Sequence, residues 1–218
     1  MKGTPAMSYL LHIDSSALGA ASVSRQVALS FRDQWQGPVV HRDLAANPVP
    51  HLNAAGVTAR DTDPARHTPE QAKAAAVQDE LIEEFLGAGA YLFTVPMYNL
   101  SMPSVFKAWL DQIIIVDRTL NLSGPAPTAG RPAVLISARG GGYGPGTPKH
   151  GLDFVVPTLE AVLGQLLGLT VTTVIPELTM APHAPALASL LPLHKASMDA
   201  AHEQARHLAT TFATTRAA

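Results

Sequence analysis

The chain contains no cysteine among its 218 residues. That removes disulfides, thiolate zinc sites, iron–sulfur clusters and thiol nucleophiles together. Any redox chemistry must therefore be carried by a bound organic cofactor. Charge is also scarce: 15% of residues are Asp, Glu, Lys or Arg, and the formal net charge is −2. No basic block occurs, which speaks against nucleic acid and against an anionic membrane surface as partners. No apolar run reaches the roughly eighteen residues needed to span a bilayer. The run Tyr9–Ile13 is too short for a signal-peptide core, so a cytoplasmic location is expected. Residues 1–6 read as a loose tail, with Met7 as an alternative start. The chain also lacks the Gly-x-Ser-x-Gly elbow of serine hydrolases, the Lys-Ser/Thr of a P-loop, the three-glycine dinucleotide fingerprint and the His-Glu-x-x-His zinc pair. Nine histidines are present, but His202 and His207 are five apart on one helix and do not share a face. His183 and His194 lie in or beside a proline-rich stretch. No metal site is expected.

Apolar residues make up 47% of the chain, enough for one domain with a full core over residues 1–218. Five short apolar runs alternate with helical patterns: Tyr9–Ile13, Val39–Arg42, Tyr91–Val95, Ala133–Ser137 and Leu169–Ile175. Val23, Val27, Phe31 and Trp35 form a helical stripe that Gly37-Pro38 stops. Thr68-Pro69-Glu70-Gln71 is a capping box opening a helix to about Leu86, with Gly87 and Gly89 closing it. Further helices are expected over Pro103–Val116, with Phe106, Trp109, Leu110 and Ile113 on one face, and over Gly151–Leu167. A last one carries Met198, Ala201, Ala205, Leu208 and Phe212 on one face. Alternating βα units of this length predict a three-layer α/β fold, a five-stranded parallel sheet of flavodoxin-like order 2-1-3-4-5 with helices on both faces. Ala45–His67, Asn121–Arg131 and Pro176–Pro192 fit no regular element. The Trp35 and Trp109 stripes read as core.

Three loops follow strands one, three and four, which are neighbours in such a sheet and flank its switch point. The first, Asp14 to Arg25, is a run of small hydroxyl residues feeding a helix N-terminus. Free N–H groups there suit a monophosphate without any lysine. The second, Val95-Pro96-Met97-Tyr98-Asn99-Leu100, has no charged side chain and offers backbone groups, a ring and an amide, the groups that grip a flat uncharged heterocycle. The third, Ser137 to Gly146, has five glycines in the seven residues 140–146, allowing close backbone approach to a ligand. Together they predict one site with a phosphate pocket at one end and a planar-ring cradle at the other. Asp14 and Glu177 fall at strand ends and are expected to be solvated or capping residues rather than a catalytic pair. No side chain is assigned as acid or base.

Pro96-Met97-Tyr98-Asn99, the Asp14–Gln26 loop, Arg139-Gly140-Gly141 and Arg42–Pro48 together resemble the FMN-dependent NADH-azoreductases, also described as NAD(P)H:quinone oxidoreductases of the flavodoxin-like superfamily. The resemblance runs from about residue 9 to 176 in the same order. It implies FMN as cofactor, NADH or NADPH as hydride donor, and quinones or azo compounds as two-electron acceptors in a ping-pong cycle. It further implies that Ser16, Ser22, Val23 and Ser24 hold the FMN phosphate. Pro96, Met97, Tyr98, Asn99 and Leu100 would line the isoalloxazine ring, and Ala138, Arg139, Gly140 and Gly141 would meet its pyrimidine edge. Tyr98 and His150 are the residues expected against substrate. Family members are typically homodimers with sites at the subunit interface. This chain departs from them at Leu100, often Phe, at Ala138, often Ser, and in a shorter Thr119–Arg131 connection. Two other classes stay open: a flavodoxin-type electron carrier, which the small net charge does not favour, and a non-catalytic binding protein of the same fold.

Overall fold

In the computed structural model, which describes residues 9–217 and side chains to residue 212, five parallel strands form one sheet of order β2-β1-β3-β4-β5. They are β1 (Tyr9–Asp14), β2 (Val39–Asp43), β3 (Ala88–Thr94), β4 (Pro132–Ile136) and β5 (Thr170–Val174). The register pairs Ile13 with Arg42 and Phe93, and Asp14 with Asp43 and Thr94. The strand carboxyl ends that carry the three loops are therefore level. The expected tail at residues 1–6 and Met7 lie outside the described residues.

Two apolar layers flank the sheet. Leu11, Ile13, Tyr91 and Phe93 point into one with α3 (Pro69–Gly87), α4 (Ser104–Ile113) and α5 (Val156–Leu159). Leu10, Leu92 and Val134 point into the other with α1 (Val23–Arg32) and α6 (Leu191–Ala217). This is the period-two division expected of strands buried on both faces. Ala201, Ala205, Ala209 and Phe212 line the inner face of α6. No helix among the described residues is long and apolar enough to cross a membrane.

Three element boundaries and one long connection differ from the sequence expectation. Helix α1 ends at Arg32 rather than near Gly37. Trp35 lies past the end yet stays buried, stacked on Phe31 at 5.9 Å. Gly89 lies inside β3 rather than closing α3, while Gly87 ends the helix against Tyr9, whose hydroxyl donates to the Glu84 carbonyl at 2.7 Å. A Cβ at Gly87 would lie 2.8 Å from that hydroxyl. The helix expected from Gly151 begins only at Val156, because Asp153 Oδ1 accepts the N–H groups of Val155 and Val156. It then widens into a π-helix over Glu160–Leu166, keeping Leu159, Leu163 and Leu167 buried in the same layer. The long stretch 45–67 is not structureless. It contains α2 (Ala54–Ala59), capped by Asn53, and is tied to α3 and α4 by Gln78 on the Gly56 carbonyl and Gln112 on the Pro50 carbonyl.

Candidate functional site

The serine loop lies directly at the carboxyl end of β1. Ser16, Ser22 and Ser24 are buried, and Val23 is half-buried. Ser22 caps α1, accepting from the Arg25 N–H at 3.4 Å, and its Oγ is 3.0 Å from that of Ser24. The first N–H groups of a helix have no intrahelical acceptor. Those of Val23 and Ser24 find none elsewhere among the described residues. Two hydroxyls and two amides at the positive end of a ten-residue helix thus converge where an anion is best held.

The second loop folds back in a tight turn, with Tyr98 N–H donating to the Ser101 carbonyl and Ser101 N–H returning to that of Tyr98, at 2.8 and 3.0 Å. Its central residues, Asn99 and Leu100, sit at φ 50° and 68°. For leucine this left-handed backbone is uncommon and costs about 1–2 kcal/mol. Neither N–H group has an acceptor among the described residues. Tyr98, expected as a wall against substrate, sends its hydroxyl into the first loop. It accepts from Ala17 N–H at 3.1 Å and lies 3.2 Å from Ser16 Oγ.

The third loop extends the sheet ladder beyond β4. Met97 N–H donates to the Ala138 carbonyl and Arg139 N–H to the Pro176 carbonyl, each at 2.9 Å. Gly140 and Gly141 accept from Met180 and Leu178, while their own N–H groups have no acceptor among the described residues. The loop is closely packed at these glycines: a Cβ at Gly140 would lie 2.9 Å from Met180 Cγ, and one at Gly141 3.3 Å from Lys149 Nζ. Arg139 is buried and holds the loop's shape through Asp153 and, at 3.6 Å, Glu177. Its Nε is buried without a hydrogen-bond partner among the described residues. Pro96 is buried at the start of the second loop, and Ala138 is buried beneath the third. Of the predicted site residues, His150 alone stays apart: it is exposed, outside the groove beside the loop.

A charged layer beneath the first loop was not foreseen. Arg25 grips both oxygens of Asp43 at 2.6 and 2.8 Å and donates to the Ser16 carbonyl at 2.8 Å. Asp14 is buried, not solvated, and receives Thr94 and, at 2.8 Å, His41 Nε2, while His12 Nε2 lies 3.3 Å from it. Burial alone would raise its carboxyl, but His12 beside it and the hydrogen bonds of His41 and Thr94 hold it well below the usual carboxylate range. Burial lowers the His12 imidazole despite the carboxylate beside it. The ligand atoms of His12, Asp14 and His41 lie within 4.8 Å of one another, close enough for a metal ion. The Arg32 guanidinium argues against one. It can only donate and lies 2.9 Å from His12 Nδ1. That leaves the proton on Nε2, facing Asp14, where a metal would need the lone pair. Asp14 and Glu177 are no pair, since β1 and β5 stand three strand spacings apart, roughly 14 Å. Glu177 instead caps the third loop, accepting from Tyr143 N–H at 3.0 Å.

Neutral donors thus stand on three neighbouring loops above a layer of buried ion pairs, an arrangement with the chemistry to hold a phosphate-bearing planar group. A family model described as a flavodoxin-like fold matches residues 8–209. The chain belongs to this flavodoxin-like family. Within it, the FMN-dependent NADH:quinone oxidoreductase of Streptomyces avermitilis is 48% identical over 217 residues, covering 95% of this chain and 100% of that one. A protein of the same name from Streptomyces coelicolor is 47% identical over 91% of this chain and 92% of its own. Among solved structures, an azoreductase from Bacillus anthracis str. Sterne superposes with a TM-score of 0.79 at 23% identity, covering 94% of this chain and 100% of that one. An FMN-dependent NADH-azoreductase from the Ames Ancestor strain, in complex with FMN, gives 0.77 at 22% identity, over 93% and 100%. These two likenesses speak for the fold.

Proposed function

We propose that this flavodoxin-like protein is an FMN-dependent NADH:quinone oxidoreductase that also reduces azo compounds. The carrying observation is the set of acceptor-less N–H groups on three neighbouring loops, at Val23 and Ser24, Asn99 and Leu100, and Gly140 and Gly141. The relatives sharing nearly half of the sequence carry that name. Bound FMN would supply the redox chemistry, taking a hydride from NADH and passing two electrons to the acceptor.

The residues divide the remaining work. Ser16, Ser22, Val23 and Ser24 bind the phosphate with hydroxyls and helix-terminal amides. Pro96, Met97, Asn99 and Leu100 orient the ring, and Tyr98 locks that loop to the phosphate pocket. The Gly140 and Gly141 amides, backed by buried Arg139 and Ala138, stabilise negative charge at the ring's pyrimidine edge, as preorganised dipoles do in a dry site. Donor and acceptor occupy one cleft in turn, which makes the kinetics ping-pong. The proposal extends to a cytoplasmic homodimer: Leu18 and Phe154, on two segments bordering the cradle, are 64% and 52% exposed, and such large apolar side chains fit an interface between copies.

The test is an anaerobic one. The FMN-loaded protein is mixed with NADH and the flavin absorption near ~450 nm is followed, then a quinone is added. Full bleaching by NADH and recovery with one quinone per flavin supports the proposal. A one-electron radical species that persists would indicate an electron carrier instead, and failure to bind FMN would leave only a binding protein.

A further inference from the structure

A groove of about 790 Å³ runs from the Gly140–Gly141 rim along the segment that follows β5. One wall is a row of aliphatic side chains. Ala184, Leu187, Leu190 and Leu193 recur at every third residue through the 3-10 helix Pro185–Leu190 and into the first turn of α6. In a 3-10 helix residues i and i+3 eclipse, so these side chains align along the axis as a rail roughly 17 Å long. The end nearest the cradle differs. Tyr143 is the one aromatic residue of the lining among the described residues, with Lys149 Nζ 5.4 Å from its ring centroid. The Glu177 carboxylate is engaged by the Tyr143 N–H. Among the described residues, Lys149 and Glu177 are the only charged side chains in the lining.

We propose that this groove receives the aliphatic side chain of an isoprenoid quinone whose ring lies at the Gly140–Gly141 end. The inference rests on the quinone-reductase reading above and specifies the class of acceptor. A straight rail of methyl-bearing side chains matches a flexible hydrocarbon chain, whose burial is favourable in proportion to the apolar area removed from water. It offers a second aromatic ring no stacking partner beyond Tyr143. It offers the sulfonates of a typical azo dye a single ammonium, and it would strip them of water along the rest of the wall.

The test compares kcat/KM of the FMN-loaded enzyme for a methyl-naphthoquinone and for the same ring bearing a two-isoprene chain. Since one methylene in an apolar pocket is worth about tenfold, the chain-bearing quinone is expected to be favoured at least about tenfold. That ratio should fall toward one in Leu187→Gln and Leu190→Gln and persist in Leu190→Met. Geraniol, a chain without a ring, is titrated calorimetrically onto the same protein and is expected to bind wild type but not Leu187→Gln. Reduction of the bare ring with no chain preference, or a preference that survives both glutamine variants, overturns the groove assignment alone. Reduction of neither quinone overturns the quinone-reductase reading and this inference with it, and the geraniol titration then reports the groove separately.

Discussion

Replacing Arg25 by methionine should uncouple the phosphate pocket from the strands beneath it. The guanidinium makes two charge-assisted bonds to Asp43, a third to the Ser16 carbonyl, and lies 3.6 Å from Asp14. Its side chain is 15% exposed and that of Asp43 22%, so the pair is neither a solvated surface bridge nor a dry one. Surface pairs contribute about 0–1 kcal/mol, and breaking a buried one costs about 3–5. The intermediate burial places Arg25→Met at about 2–3 kcal/mol. For a chain of this size that lowers Tm by roughly 5–10 °C. Methionine keeps most of the stem's apolar contact, so the loss reports the charge and its bonds. The lost tie to the Ser16 carbonyl should also weaken FMN binding about tenfold, since the loop must then be ordered by the ligand itself. Thermal unfolding and a fluorescence titration of FMN read the two effects. A double-mutant cycle with Asp43→Asn isolates the pair and should give a coupling of about 1.5–3 kcal/mol, in the range of hydrogen bonds to charged groups. Additive effects of the two substitutions, or a Tm unchanged in Arg25→Met, would refute the account.

Acid stability should begin to fall well above the carboxylate range. Burial keeps His12 neutral when the unfolded chain takes up a proton near pH 6.5, so stability declines as pH falls from about 6.5 toward the lowered folded value. The Asp14 contribution is present above about pH 4 and is lost only as pH drops through that group's depressed folded pKa. Urea titrations at pH 5 and 7.5 should show the decline, and His12→Gln should flatten it; an unchanged slope in that variant would assign the decline elsewhere. Gly140→Ala should fold, because half-exposed Met180 can move away from a Cβ built 2.9 Å from its Cγ. It should nevertheless bind FMN about tenfold more weakly as the Gly140 amide shifts; equilibrium dialysis decides, and wild-type affinity would remove Gly140 from the cradle. At Leu100, φ 68°, valine should destabilise by about 1–2 kcal/mol, while glycine should change stability by less than about 1, its relieved strain offset by a freer unfolded chain. Equal Tm values for the two variants would show that the turn relaxes without cost.

The sheet order was legible because alternating apolar runs and amphipathic stretches leave few right-handed parallel topologies. The three loops were legible for a related reason. A ligand bound mainly by backbone N–H groups demands small, hydroxyl or glycine residues at strand ends, and those stand out locally in a sequence. The ion-pair layer did not stand out. Arg25, Asp43, Asp14 and His41 come from α1, β2 and β1 and meet only through strand register and helix docking. Asp14, at a strand end, looks in sequence like any solvated turn carboxylate. The leucine rail was hidden by its period: repeats of three in a proline-rich stretch fit neither a 3.6-residue helix nor a strand, so residues 176–192 read as irregular. The early end of α1 was hidden because Trp35 continues the helical spacing yet reaches the core from a turn, with Phe31 as its partner.

The position of the charges explains how a neutral cradle keeps its shape. Buried ion pairs are weak sources of net stability, since desolvation consumes most of their attraction. Their value here lies in what they hold: Arg25 fixes the carbonyl of Ser16, and Arg139 joins the third loop to Asp153 and Glu177. Asp153 also caps the helix that follows, and the neighbouring Phe154 N–H reaches the Leu100 carbonyl at 3.1 Å. The strained turn at Asn99–Leu100 is thereby pinned on both sides, by Tyr98 to the first loop and by Phe154 to the segment that anchors the third. On the proposed reading each loop offers the ligand N–H dipoles and uncharged side chains, while the charges that position the loops are buried beneath them. A cradle of fixed dipoles needs no reorganisation when charge on its ligand changes. The cost of preorganising it falls on residues that make no ligand contact. Substitutions in that inner layer should therefore alter cofactor affinity as strongly as substitutions in the contact surface itself.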